Sequence, residues 1–213
     1  MSIARGLWRS AVLLAGLAVS STPAVAGNNL FGGQIVEQSV GYVGAGYPDL
    51  EVGIHLPISA RLEVTPNVRF SYVEWRGLPE GRDVTLSPGV DARLQAIDSG
   101  DLHGSLTLSV PFHLHFVGTN LGPVGVGLLY PGFIMDHSIG ERWAIDFGLR
   151  VESDFFMELF GGYPLFVRLP VLVGVDVAAS DVLQLALKVE GGPTYDYESG
   201  GFVRASLCVG LAL

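Results

Sequence analysis

Residues 102–116 read LHGSLTLSVPFHLHF. Leu102, Leu106, Leu108, Val110, Phe112, Leu114 and Phe116 fall on even positions, and His103, Ser105, Thr107, Ser109, His113 and His115 on odd ones. Successive side chains of an extended chain point to opposite faces, so the stretch has one apolar face and one polar face. A helix would scatter the same residues around its axis. The stretch is also far longer than the five or six residues of an ordinary globular strand.

The same rule recurs on both sides. In 61–73, Leu62, Val64, Val68, Phe70 and Tyr72 alternate with Arg61, Glu63, Thr65, Asn67, Arg69 and Ser71. Stretches 84–95, 143–152, 165–177, 183–191 and 201–213 repeat it, and 34–43, 50–56 and 124–135 carry it more faintly. Ten strands result, with eight as the alternative count. Apolar residues make up 49% of the chain and charged ones 15%, yet no long apolar run follows the first thirty residues, so helical membrane spans are excluded there. The 29 glycines and 12 prolines suit a chain with many turns. Short connections near Pro57–Ala60, Asp98–Asp101, Ser138–Arg142 and Ala179–Asp181 fall on one side, and longer ones such as Asp154–Pro164 and Gly192–Gly200 on the other.

Residues 1–26 read as a secretory signal. Arg5 and Arg9 are its positive end, Ala11–Val19 its apolar stretch, and Ala24-Val25-Ala26 its small-x-small cleavage site, so the mature chain is expected to begin at Gly27. Cys208 is the one cysteine, which excludes an internal disulfide. Removing Arg5 and Arg9 leaves 10 basic and 21 acidic residues, a net charge of −11 that argues against nucleic acid as a partner.

Periodicity alone does not say which face is inward, and a soluble barrel with an apolar interior is the rival architecture. Strand length and apolar content favour a closed antiparallel transmembrane β-barrel over residues 27–213, polar inside and apolar outside. The final strand, Phe202–Leu213, alternates to its last residue and resembles the C-terminal signal of outer-membrane barrels, although it ends in Leu213 where an aromatic is usual. In plan the whole chain resembles the small OmpA/OmpX-like barrels. That resemblance implies the outer membrane of a Gram-negative bacterium, with outer-membrane lipid, lipopolysaccharide and the barrel-assembly machinery as partners. It carries no functional residue with it.

Glu152, Arg168, Glu190 and Arg204 are expected to form an interior ion ladder on four neighbouring strands. Arg61, Glu63, Arg69, Asp91 and Arg93 are the other expected inward charges. His113 and His115, two residues apart on one face, are weak metal candidates lacking a third ligand, and a hydrogen-bonded pair is the better reading. Pro111 and Pro131 come out nearly opposite one another when counted from a turn at 117–123, which suggests a lateral seam or, as the better reading, a curvature bulge. The leading function is a structural or interaction component of the envelope, with envelope proteins as partners. A narrow channel for small solutes, with or without lateral opening, comes second, and a membrane-embedded lipid-modifying enzyme third. No enzymatic activity and no cofactor are expected, because Asp136-His137-Ser138 offers suitable residue types only in a short turn.

Overall fold

A computed structural model describes residues 30–72, 83–117, 120–127, 129–157, 165–195 and 200–213. The expected leader and its cleavage before Gly27 lie outside these residues, as do Glu74, Glu80, Glu158, Asp196 and Glu198, acids that the sequence places in the long connections. The described chain is all-β. Its antiparallel segments are β1 (Val40–Tyr47), β2 (Asp49–Ser59), β3 (Leu62–Ser71), β4 (Asp83–Ser99), β5 (Leu102–Val117), β6 (Asn120–Gly127), β7 (Tyr130–Ile139), β8 (Trp143–Arg150), β9 (Glu152–Met157), β10 (Leu165–Arg168), β11 (Val171–Ala178), β12 (Leu183–Tyr195) and β13 (Gly200–Ala212).

Three of these are continued by their successors. β5 pairs with β6 along one half and with β7 along the other. β12 does the same with β10 and β11, and β8 and β9 adjoin across Val151. The breaks have local causes. Leu129 takes a positive φ of 96° between β6 and β7. Between β10 and β11, Pro170 lacks the N–H that a regular ladder requires. Counting each joined pair once gives ten strand paths. β1 pairs with β13 from Val40↔Ala212 to Tyr47↔Ala205, so the sheet closes into a ring.

The connections at one end are short. Gly100 and Gly140 turn there with φ of 60° and 67°, a region glycine enters without steric cost. The two faces are inverted relative to a soluble domain. Leu106, Leu149 and Leu187 are 53%, 56% and 53% exposed, whereas Glu63, Asp136 and Asp154 are 0% exposed. The apolar side chains of the alternating pattern thus face outward.

Four expectations need correction. The strand expected over 34–43 begins only at Val40, and residues 30–36 lie inside the ring, where Leu30, Ile35 and Val36 are buried. Leu30 and Val36 join Val40, Tyr42, Ala186 and Cys208 in a small apolar core, against which Phe31 packs. Arg61, expected inward, is exposed in the turn before β3, because the inward alternation begins at Glu63. Asp154, expected in a solvated loop, belongs to β9 and is fully buried, because that strand path continues past Glu152. Pro131 faces Leu108 and not Pro111. The hairpin is tighter than the turn at 117–123, since Val117 already pairs with Asn120, and the irregularity between Leu114 and Phe116 recovers only part of that difference.

Candidate functional site

The interior holds polar side chains in two tiers. In the tier nearer the long loops, Glu152 is a charge hub. Its Oε1 lies 2.7 Å from Arg204 Nη2 and 2.7 Å from Arg150 Nη2, and its Oε2 lies 3.5 Å from Arg168 Nε. Glu190 takes Arg204 at 2.8 Å, Arg150 at 3.4 Å and Lys188 at 3.5 Å. Arg168 Nη2 also donates to Asp154 Oδ2 at 2.5 Å. Glu152, Arg168, Glu190 and Arg204 are therefore gathered, but around Glu152 and Glu190, not as a simple ladder. Arg150, two residues from Glu152 on the same face, joins both acids. Beside this group, Arg69 lies 3.3 Å from Glu51, and the Tyr42 hydroxyl donates to Glu51 at 2.6 Å. In so little water, opposite charges attract strongly, and a lone charge would be costly.

Next to the hub stand the two histidines. His115 Nδ1 lies 2.8 Å from Thr85 Oγ1, and His113 Nδ1 lies 2.8 Å from Ser87 Oγ. The other nitrogen of His113, Nε2, is 3.0 Å from Asp154 Oδ1. The Tyr130 hydroxyl donates to that same oxygen. The contact is possible because β6 lies between β5 and β9 and places Gly127 opposite Asp154, so no side chain intervenes there. The His113 and His115 rings are 6.3 Å apart. Among the described residues no group of three or more His, Cys, Asp and Glu has the geometry to hold a metal. Asp136, His137 and Ser138 do not converge: Asp136 is buried and His137 is exposed, as strand alternation requires.

The tier nearer the short turns is occupied by residues 30–36. Phe31 N–H donates to Asp176 Oδ2 at 3.1 Å, Gln34 N–H to Asp136 Oδ1 at 2.8 Å, and Val36 N–H to Glu63 Oε2 at 3.3 Å. Arg93 Nη1 donates to Gly32 O at 2.7 Å, and Ser105 Oγ to Gly33 O at 2.5 Å. Gly33 must be glycine here, since a Cβ would stand 2.6 Å from the His103 carbonyl oxygen. Glu63 is also held by Arg93 at 2.6 Å and by His55 at 2.7 Å, and Asp91 accepts from Asn67 at 2.9 Å. The interior charges thus bind a peptide backbone as well as one another. Between the tiers is a cavity of about 100 Å³ bordered by Phe31, Glu51, Arg69, Arg93, Arg150 and Glu190.

Sequence reasoning missed the N-terminal segment, Tyr130 and the role of Asp154. One signal was present for the segment: Phe31-Gly32-Gly33 breaks alternation at the point where backbone must approach backbone.

No family model and no curated protein matches this chain. Among solved structures it resembles a bacterial polysaccharide outer membrane secretin, with a TM-score of 0.47 and 10% identity over 81% of this chain. The match covers 57% of the secretin chain, so this chain spans little more than half of that length. It also resembles the outer membrane protease OmpT from Escherichia coli, with a TM-score of 0.43 and 6% identity over 83% of this chain and 94% of the protease. Likeness at this level transfers no activity or partner. The expectation of a chain without enzymatic activity is nevertheless corrected, since one of the structures it resembles is a protease.

Proposed function

We propose that the chain is an integral β-barrel of a Gram-negative outer membrane, with its lumen closed by its own N-terminal segment and by paired charges. Inverted burial carries this reading. Large apolar side chains are exposed around the ring, including Val90, Phe112, Phe147, Val173 and Leu207. In water such a surface would aggregate, whereas in a bilayer it is the solvated face. On this reading the short turns face the periplasm, the long acidic loops face outward among lipopolysaccharide, and the assembly machinery inserts the chain. Its role is that of an envelope component presenting those loops to partner proteins. The filled lumen supports a closed barrel over a narrow channel.

Fractionation tests the placement. The protein should be recovered with outer membranes and need detergent for release, and release by osmotic shock alone would overturn the proposal. In planar bilayers the intact barrel should give no steady conductance.

A substitution separates lipid from water around the ring. Val171 is 52% exposed and lies midway along its strand path, whereas Val182 is 49% exposed in a turn. Val171→Arg should cost about 2–4 kcal/mol in urea titrations of the protein folded into vesicles, and Val182→Arg about 0–1 kcal/mol. A ring surrounded by water would tolerate both equally.

A further inference from the structure

Ser87, His113 and Asp154 come from three strand paths and meet inside the ring, in the order hydroxyl, imidazole, carboxylate. The hydrogen bonds determine which way the protons point. Asp154 receives donors from three sides: Arg168 Nη2, the Tyr130 hydroxyl and the His113 ring. A carboxylate so placed acts as an acceptor only. His113 Nε2 therefore carries the proton toward Asp154. In a neutral ring the other nitrogen is then an acceptor, so Nδ1 takes the hydrogen bond of the Ser87 hydroxyl. With the ring neutral, the serine hydroxyl is aimed at an unprotonated nitrogen, and the ring is oriented by a buried acid. Those are the roles by which an activated nucleophile is recognised, whatever the fold.

We propose that Ser87, His113 and Asp154 form a nucleophilic site for acyl transfer from carboxylic esters. Ser87 lies four residues into β4 from Asp83, so the long-loop end of the ring is the nearer end from which an ester would reach it. Ser87 Oγ attacks the carbonyl carbon while its proton passes to His113 Nδ1. The bond from that carbon to the alcohol oxygen then breaks, and the departing alcohol takes the proton from His113. Water, deprotonated by the same nitrogen, attacks the acyl-serine, and the carboxylic acid and free Ser87 are regenerated. Asp154 stabilises the imidazolium formed at each transfer. Thr85 and His115 repeat the hydroxyl–imidazole contact one step nearer the loops and serve as the internal comparison.

The proposal concerns the lumen alone and does not depend on the bilayer placement. It is tested on the intact, detergent-folded protein with a small fluorophosphonate, which phosphonylates an activated serine with loss of fluoride. The expected result is one adduct, located at Ser87 by peptide mass. Ser87→Ala should abolish it, and His113→Ala should slow it by about 100-fold or more, the range of a general base. Thr85→Ala should leave it in place. Absence of an adduct on the wild-type protein would reduce the three residues to a structural network and overturn the proposal, without touching the placement in the membrane. An adduct at another residue, or one formed equally fast without His113, would overturn it as well.

Discussion

Glu152→Ala is expected to destabilise the folded barrel by about 3–5 kcal/mol, the cost of removing one partner from a buried ion network. The acid is 1% exposed and holds Arg150, Arg168 and Arg204. Without it, Arg168 keeps Asp154, while Arg150 and Arg204 are left to share Glu190 with Lys188. Cations are then crowded onto one carboxylate in a space with little water to screen them. Glu152→Gln retains an acceptor of the same shape without the charge, so it should fall between alanine and wild type. Glu141→Ala, in an exposed turn, should stay within about 0.5 kcal/mol. Urea unfolding followed by tryptophan fluorescence measures all three. An alanine variant as stable as wild type would mean that Glu152 is not the hub of the charge network.

Removing residues 30–36 should expose Cys208 and leave most of the stability in place. The single cysteine is 2% exposed and packs in the same cluster as Leu30 and Val36. A water-soluble thiol reagent should barely touch it in the intact protein, because buried thiols are inert. Without the segment, labelling should accelerate by about 100-fold or more, since access no longer waits on an opening event. The stability change is small for a physical reason. Burying Leu30, Ile35 and Val36 contributes about 5–9 kcal/mol. Ordering seven residues costs about 7–14 kcal/mol. The hydrogen bonds to Asp136, Asp176 and Glu63, at about 1.5–3 kcal/mol each, tip a nearly even balance. Gly210→Val should act in the same direction, because a Cβ there would stand 2.6 Å from a Leu30 methyl carbon. Equal labelling rates with and without the segment would show that it does not guard the lumen.

The alternation of Leu106, Leu108 and Val110 with Thr107 and Ser109 identifies a strand and its two faces, because side-chain direction in an extended chain depends on position parity alone. Ten paths and short turns at one end were legible on that ground, whereas the inward reading of Glu63, Arg69, Asp91 and Arg93 needed strand length and apolar content as well. Arg61 was misplaced because parity does not say where a strand begins. Pro111 and Pro131 were set opposite one another because the hairpin was counted two to three residues too wide, and a register depends on every residue between its partners.

What only the tertiary structure decided was which inward side chains meet. Asp154 and His113 are 41 residues apart and reach one another across the glycines of β6. Phe31 and Asp176 are 145 residues apart, and the bond between them joins the N-terminal segment to β11 across the interior of the ring. The sequence by itself determined each strand's two faces, because that is a local property of an extended backbone. The partners inside the ring, and the N-terminal segment that fills it, follow from cross-strand register and ring closure, which no local pattern encodes.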